Sequence, residues 1–262
     1  MKRLYFDCFA GISGDMVTGS LLDAGLDFDL LLAGTGKLEL SGYKITSGKT
    51  EKCGITGTSF RVDVTAPQPA RNLEQITSII TSSGLDEPVK KDACGIFRLL
   101  GEAESTVHGI PVEKVHFHEI GAVDSIIDIC CAAIAINSMG IEEIHCSPVN
   151  TGSGCVKAAH GVLPVPAPAT ARILRGMTIY SSGTPAELTT PTGAAILKYY
   201  SKECGPLESM KTLSTGYGAG SRDFDFPNML RVFIGETSIA PAMTDEITEL
   251  EKLLNINLDH WK

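Results

Sequence analysis

The sequence predicts an α/β protein, with a mixed α+β arrangement left open, in which helices flank one compact mixed sheet. Two observations predict this class. Short apolar segments typical of buried strands alternate along the chain with segments of helical periodicity. The 262 residues, 43% of them hydrophobic, are also enough to bury a sizeable core. We expect residues 1–243 to form this domain and residues 244–262 to begin a further helical region.

The first half of the chain alternates clearly between strand and helix signals. An apolar strand at Leu4–Phe6 leads into the glycine loop Gly11–Asp15 and then into a helix from about Met16 to Ala24. Residues Tyr43–Val64 alternate polar and apolar side chains around three glycines, which predicts antiparallel strands joined by turns. Two helices follow, near Leu73–Ser82 and Glu87–Val107, the second with Asp86 as its N-cap.

The second half has shorter signals. We expect a strand at Val115–Phe117, and helices at about Val123–Met139 and Thr244–Asn255. The remaining strands are placed near Ile144, Met177–Tyr180, Met210–Leu213 and Leu230–Gly235, and the remaining helices near Ala167–Arg175 and Gly193–Ser201. The segment Gly216–Gly220 is interpreted as a glycine loop, with a spacing that gives only weak evidence for a dinucleotide.

Composition argues against two classes of partner. The net charge is −9, from 31 acidic and 22 basic residues, and no Lys/Arg cluster provides a footprint for nucleic acid. The longest apolar run, Ile129–Ile136, is too short to span a bilayer, so no membrane partner is expected. Eight cysteines without a Cys-x-x-Cys pair suit a reducing compartment. We therefore expect a cytoplasmic protein.

Three of the six histidines, His108, His116 and His118, lie within eleven positions and predict a metal site. In an extended segment, residues i and i+2 point to one face, so His116 and His118 can converge on one ion. Asp124 and Asp128 follow on one face of the next helix, where they could ligate the metal or orient a ligating histidine. The alternative is structural, with half-buried hydrogen-bonded histidines and Asp124 as a helix cap.

A second group of candidate residues lies in loops that lead into helices. Gly11, Ser13 and Gly14 offer backbone N–H groups to a phosphate, while Asp7 or Asp15 could hold a cation. Another junction of this kind contains Thr190, Thr192 and Gly193. A tight turn and ordinary helix capping would explain both segments equally well. His160 precedes a stiff proline-rich stretch that runs to Pro168.

Taken together, these stretches resemble the nickel insertion proteins of nickel-pincer nucleotide biosynthesis, the LarC family. The shared features are motifs that occur in the family's order over most of the chain: Tyr5-Phe6-Asp7 with Gly11–Met16, His116–Glu119 with Gly121–Ser125, His160-Gly161 with Pro164–Thr170, Thr190–Ala195, Gly216–Gly220, and Asn228–Arg231.

The resemblance implies a CTP-dependent cyclometallase of the lyase class. Such an enzyme inserts Ni²⁺ into pyridinium-3,5-bisthiocarboxylic acid mononucleotide, forming two Ni–S bonds and one Ni–C bond, and makes the cofactor of lactate racemase. Forming Ni–C removes a ring proton, so a general base is required. On this basis Glu119, Asp124 and His160 are candidate catalytic residues. Candidate nickel-contacting residues are His116, His118, His108, Asp7 and Asp15, and the two glycine- and threonine-containing loops are candidate phosphate sites.

Members of this family usually continue into a C-terminal domain associated with CTP and Mn²⁺ or Mg²⁺. We expect this chain to correspond to the N-terminal portion, with that domain as a partner and with a homo-oligomer left open. Two other functions remain open at this stage. A non-catalytic nickel metallochaperone would bind nickel without turnover, and a metal-dependent phosphoester hydrolase would release phosphate without CTP.

Overall fold

A computed structural model describes residues 1–117, 123–158 and 161–237, with only the backbone described at His116. A seven-stranded mixed sheet forms its centre, in the order β11-β6-β1-β13-β12-β3-β2. Its strands are β1 (Lys2–Asp7), β2 (Tyr43–Lys52), β3 (Ile55–Val64), β6 (Glu143–Cys146), β11 (Glu203–Cys204), β12 (Lys211–Ala219) and β13 (Met229–Glu236). Three two-stranded pieces lie outside this sheet: β4 (Arg71–Asn72) with β5 (His116–Phe117), β7 (Val149–Asn150) with β10 (Ile179–Tyr180), and β8 (Cys155–Ala158) with β9 (Gly161–Pro164).

The strand β1 is central because its side chains are apolar on both faces. Leu4, Tyr5 and Phe6 are all buried. The strand pairs in parallel with β6, where Leu4 lies opposite Ile144, and antiparallel with β13, where Phe6 lies opposite Val232. A continuous apolar run is typical of a strand covered on both sides. The N-terminal strand thus positions the loop that follows it at the middle of one sheet edge.

Seven helices accompany the strands within the described residues. They are α1 (Gly14–Asp23), α2 (Phe28–Thr35), α3 (Leu73–Ser82), α4 (Glu87–His108), α5 (Val123–Ser138), α6 (Pro168–Ile173) and α7 (Pro191–Tyr200). The helix α5 is buried over most of its length, including the stretch from Ile126 to Ile136 apart from Asp128. Its apolar face packs against α1, α2 and α4. None of the helices in the described ranges is long and apolar enough to cross a membrane.

The α/β class predicted from the sequence is confirmed, but one interpretation was wrong. The segment from Gly216 to Ala219 belongs to strand β12 and is not a loop. Its glycines allow helix α1 to approach the sheet closely: a Cβ at Gly218 would lie 1.9 Å from the Met16 carbonyl oxygen, and one at Gly216 would lie 2.1 Å from that of Ser20. Close packing of a helix on a sheet therefore explains these glycines, and no role in binding a nucleotide is needed to explain them.

Capping at the helix starts agrees with the sequence in part. Asn72 and Gln75 form a reciprocal capping box at the start of α3. Asp86 occupies the N-cap position of α4, as expected, but its side chain makes no capping hydrogen bond. Helix α2, with Asp27 as its N-cap, was not predicted. Residues 244–262, which we expect to begin a further helical region, lie outside the described residues.

Candidate functional site

The two loops that the sequence singled out lie side by side. The backbone N–H of Ile12 donates to the Leu188 carbonyl at 3.0 Å, and the N–H of Thr190 donates to the Ile12 carbonyl at 3.0 Å. Gly193 makes this contact possible, since a Cβ there would lie 2.2 Å from the Ile12 oxygen. Gly11 has a φ of +81° and lies against Leu188 in the same way. The N-termini of α1 and α7 therefore meet at one place.

A small pocket of about 160 Å³ opens beside these helix N-termini. Ser13 and Thr190, the N-cap residues of α1 and α7, line it together with Arg222 and Asn228. The Thr190 hydroxyl accepts a hydrogen bond from the Gly193 N–H at 3.1 Å, and Thr192 is buried in the first turn. The helix N-termini and Arg222 favour an anion, and Asp15 and Glu187, which also line the pocket, oppose it. We call this the anion pocket.

A larger cavity of about 400 Å³ is lined by four aspartates. Three of them are on helices: Asp15 lies in the first turn of α1, and Asp124 and Asp128 lie one turn apart on α5. The fourth, Asp63, lies on β3. The opposite wall is formed by β3, which continues to Val64 beyond the last residue of β12. The cavity thus occupies the place beside β3 where β12 has ended. We call it the carboxylate cavity.

The three helix aspartates are in different electrostatic environments. Oδ1 of Asp128 is buried and has no hydrogen-bond partner among the described residues. Burial, reinforced by the neighbouring Asp15 and Asp124, raises the pKa of Asp128 well above its ordinary value. Burial also raises the pKa of Asp15, although hydrogen bonds from the Ser13 hydroxyl and the Met16 N–H oppose the shift. Asp124 accepts the Ser125 N–H at 2.8 Å.

Positive side chains line the other side of the carboxylate cavity. Arg61 on β3 lies close enough to Asp15 to oppose the rise in its pKa. Lys52 at the end of β2 forms an ion pair with Asp223 and donates to the Arg222 carbonyl at 3.2 Å. Asp15, Gly220 and Ser221 line both cavities. The anion pocket and the carboxylate cavity are therefore neighbours, and Asp15 lies between them.

Two of the proposed nickel-contacting residues lie elsewhere. Asp7, at the end of β1, forms an ion pair with Arg231, its partner across the β1–β13 pair, and accepts the Arg231 Nε at 2.9 Å. His108 ends helix α4, where its Nε2 lies 3.3 Å from a carboxylate oxygen of Glu104. Neither residue lines the carboxylate cavity or the anion pocket. Their assignment as nickel ligands remains a prediction.

In the sequence, the histidine segment comes immediately before the helix that carries Asp124 and Asp128. His116 lies in β5, whose backbone pairs with Asn72 of β4, and α5 begins at Val123. His118, Glu119 and His160 lie outside the described residues. Within the described ranges, no group of three or more His, Cys, Asp or Glu side chains is close enough to hold a metal ion. A metal in the carboxylate cavity would therefore need ligands in addition to the four aspartates that line it.

Comparison with known proteins identifies the family. A family model described as nickel insertion protein matches residues 4–262. The chain belongs to this family. A pyridinium-3,5-bisthiocarboxylic acid mononucleotide nickel insertion protein of Desulfitobacterium hafniense (strain DSM 10664 / DCB-2) is 46% identical over 260 residues, covering 99% of this chain and 65% of the relative. A protein of the same name from Geobacillus kaustophilus is 47% identical over 274 residues, covering 99% and 67%.

Another relative, a putative nickel insertion protein of Dictyoglomus thermophilum, is 43% identical over 259 residues, which cover 99% of this chain and 66% of the relative. The chain thus spans about 65% of the length of the curated relatives it matches. No solved structure matches it.

Sequence reasoning did not identify the cationic residues that line the two cavities of this nickel insertion family member. Lys52 and Arg61 lie on a hairpin far in the sequence from the aspartates of α1 and α5, and Arg222 lies in the turn between β12 and β13. Each has an ordinary surface-like sequence context. Only the pairing of β3 with β12 and the packing of α1 on that pair bring them to the site. Helical spacing could predict only one feature of the site, namely that Asp124 and Asp128 lie on the same helix face.

Proposed function

We propose that this chain binds pyridinium-3,5-bisthiocarboxylic acid mononucleotide and holds it while Ni²⁺ is inserted into its ring. The observation that carries the proposal is the distribution of charge over two adjoining cavities in a member of the nickel insertion family. In one cavity, three carboxylates on the helix side face a strand side that carries Lys52, Arg61 and Asp63. The other has two helix N-termini with an arginine. The proposed substrate carries the complementary groups: a cationic ring, two anionic thiocarboxylates and a phosphate.

The phosphate of the mononucleotide would lie in the anion pocket. Backbone N–H groups at the starts of α1 and α7 and the side chain of Arg222 provide hydrogen-bond donors and positive potential there. The pyridinium ring would then reach past Asp15 into the carboxylate cavity, because Asp15 lines both spaces. The aspartates favour the positive ring, and the same carboxylates favour Ni²⁺ as it arrives.

Insertion of nickel requires a base as well as a place for the ring. The two thiocarboxylate sulfurs donate to Ni²⁺, and the ring C–H between them breaks. Its electron pair forms the Ni–C bond, and its proton passes to a protein base. Asp128 joins Glu119, Asp124 and His160 as a candidate for that base, because burial raises its pKa and makes its carboxylate more basic.

The segment that contains His116, His118 and Glu119 would deliver nickel. Imidazole is a suitable ligand for Ni²⁺, and this segment connects β5 to the helix that carries Asp124 and Asp128. The resemblance further implies that CTP, with Mn²⁺ or Mg²⁺, is used by the part of the family's longer proteins that extends beyond this chain. We propose that this part is a partner in the complete lyase reaction, whose product is the cofactor of lactate racemase.

The test is a nickel insertion assay with the purified chain, the mononucleotide, Ni²⁺, CTP and Mg²⁺, with the C-terminal part of a relative supplied separately. Mass spectrometry detects the metallated nucleotide, and its formation would support the proposal. We expect the His116→Ala/His118→Ala variant to lose nickel binding and insertion. Nickel binding without any insertion would instead indicate a metallochaperone. Release of phosphate from simple esters without CTP would indicate a hydrolase.

A further inference from the structure

Arg61 is a charged side chain in the carboxylate cavity whose charge acts on the nearby Asp15 without a hydrogen bond or a close ion pair in the described residues. It makes no hydrogen bond and no ion pair with any other residue in the described ranges. Lys52, on the same hairpin, is by contrast held by Asp223 and the Arg222 carbonyl. Both residues line the cavity. Of the two, only Arg61 has a side chain that donates no hydrogen bond to another described residue.

The position of Arg61 follows from the end of β12. Strand β3 pairs with β12 at one position, where Thr58 lies opposite Gly218, and β12 ends one residue later at Ala219. Beyond that point β3 is exposed to the cavity, and Arg61 is the first cationic residue on this stretch. Since β3 is also paired along its whole length with β2, its backbone is fixed. Arg61 therefore projects from a rigid strand.

The helix side of the cavity is anionic, and its β3 side carries both signs of charge. Asp15 and the α5 aspartates form the helix side, and Arg61 lies on the β3 side, two residues before Asp63. A planar guanidinium binds a carboxylate-like group through two parallel hydrogen bonds. The substrate of the proposed function is likewise positive in its ring and negative at the ring substituents. A ring that lies against the aspartates would thus direct one of its substituents toward Arg61.

We propose that Arg61 is a specificity-determining residue that binds an anionic thiocarboxylate or carboxylate on the pyridinium ring. This inference rests on the proposed function and deepens it, because it assigns the recognition of the ring substituent to one side chain. A neutral carboxamide in the same position would offer one acceptor oxygen and no charge. Arg61 would therefore favour acid-bearing pyridinium mononucleotides over their amides.

The test compares two available probes that differ only in this group, nicotinic acid mononucleotide and nicotinamide mononucleotide, by calorimetric titration of the intact chain. We expect the wild type to bind the acid about tenfold to a hundredfold more tightly than the amide. Arg61→Met should remove most of this preference and leave the affinity for the amide within about twofold. Arg61→Lys, which keeps the charge without the planar fork, should retain part of it.

Two controls separate this inference from other causes. Arg98→Met makes the same change of charge at an exposed position on α4 that does not line the cavity, and it should leave the preference unchanged. Thermal unfolding of each variant checks that the fold is retained. An acid-to-amide preference in Arg61→Met equal to that of the wild type would overturn the assignment of Arg61 alone. If the wild type binds neither mononucleotide, the proposed function and this inference both fail.

Discussion

Replacing Asp128 with asparagine should stabilise the protein and at the same time lower its nickel insertion activity. The Asp128 side chain packs against Gly14, where a Cβ would lie 2.7 Å from its Oδ2, so a side chain of the same shape is needed. Oδ1 is buried without a hydrogen-bond partner among the described residues, and two other aspartates lie nearby. Asparagine is also polar, so the gain comes from removing the buried charge and its repulsion by the other two aspartates, since an unpaired buried charge costs more than an unpaired neutral group. We expect Asp128→Asn to raise the free energy of unfolding by about 1–3 kcal/mol at about pH 7.

The stability gained by Asp128→Asn should depend on pH. The pKa of Asp128 is raised in the folded state, so the folded protein binds more protons than the unfolded chain above about pH 4. The stability of the wild type should therefore fall as the pH rises from the unfolded pKa through the folded pKa. The gain from Asp128→Asn should be largest at neutral pH and should shrink as the pH is lowered toward about 4.

Urea unfolding of the wild type and the variant at several pH values measures this difference. Asp63→Asn is the matched control, because Asp63 lines the same cavity but is exposed, and its substitution should change stability by less than about 0.5 kcal/mol. The insertion assay completes the test, since removal of a strained functional carboxylate stabilises the fold and lowers activity. A variant that is less stable than the wild type at neutral pH would refute the reasoning. So would a stability gain that does not depend on pH.

Two further predictions concern the packing that forms the site. Gly218→Ala should destabilise the protein by about 1–3 kcal/mol or more, because its Cβ would meet the Met16 carbonyl oxygen at 1.9 Å. Gly48→Ala on β2, with no atom within 4 Å of its Cβ, is the control in the same urea unfolding experiment. Thr190→Val should cost about 1 kcal/mol through loss of the α7 N-cap, whereas Thr190→Ser should keep most of the stability in thermal unfolding. Equal stabilities within either pair would contradict the corresponding prediction.

Local patterns were sufficient to predict most of the elements that position the site. The apolar run in β1, the glycine turn after it and the alternation in the β2–β3 hairpin are each encoded within a few residues. The same holds for the long periodic helices α4 and α5. Helix α2 was not predicted because its three consecutive leucines, Leu30, Leu31 and Leu32, show no clear helical period.

The misinterpretation of the 216–220 segment has a different cause. Glycine at alternate positions usually weakens a strand, and the sequence alone does not show that a helix will pack against its backbone. Only the contact between α1 and β12 reveals why Gly216 and Gly218 lie in a strand.

The site itself could be predicted only in its local parts. Asp124 and Asp128 lie on one helix face, and the two helix N-termini were each identified only as candidate anion sites, with capping as the alternative. Their meeting depends on the hydrogen bonds between Ile12 and the 188–190 segment, which are separated by most of the chain. The approach of Arg61 to Asp15 depends likewise on where β12 ends beside β3. Such long-range contacts follow from the packing of whole elements and cannot be recognised from a short sequence motif.

The most direct test of the account is calorimetric titration of Ni²⁺ into the chain, alone and saturated with pyridinium-3,5-bisthiocarboxylic acid mononucleotide. The four aspartates that line the carboxylate cavity do not form a metal-holding group with one another or with other described residues, whereas the substrate would supply two sulfur ligands beside them. We therefore expect the mononucleotide to tighten nickel binding by about tenfold or more, a coupling of about 1.4 kcal/mol. The same nickel affinity with and without the mononucleotide would contradict the claim that the metal and the substrate meet in this cavity.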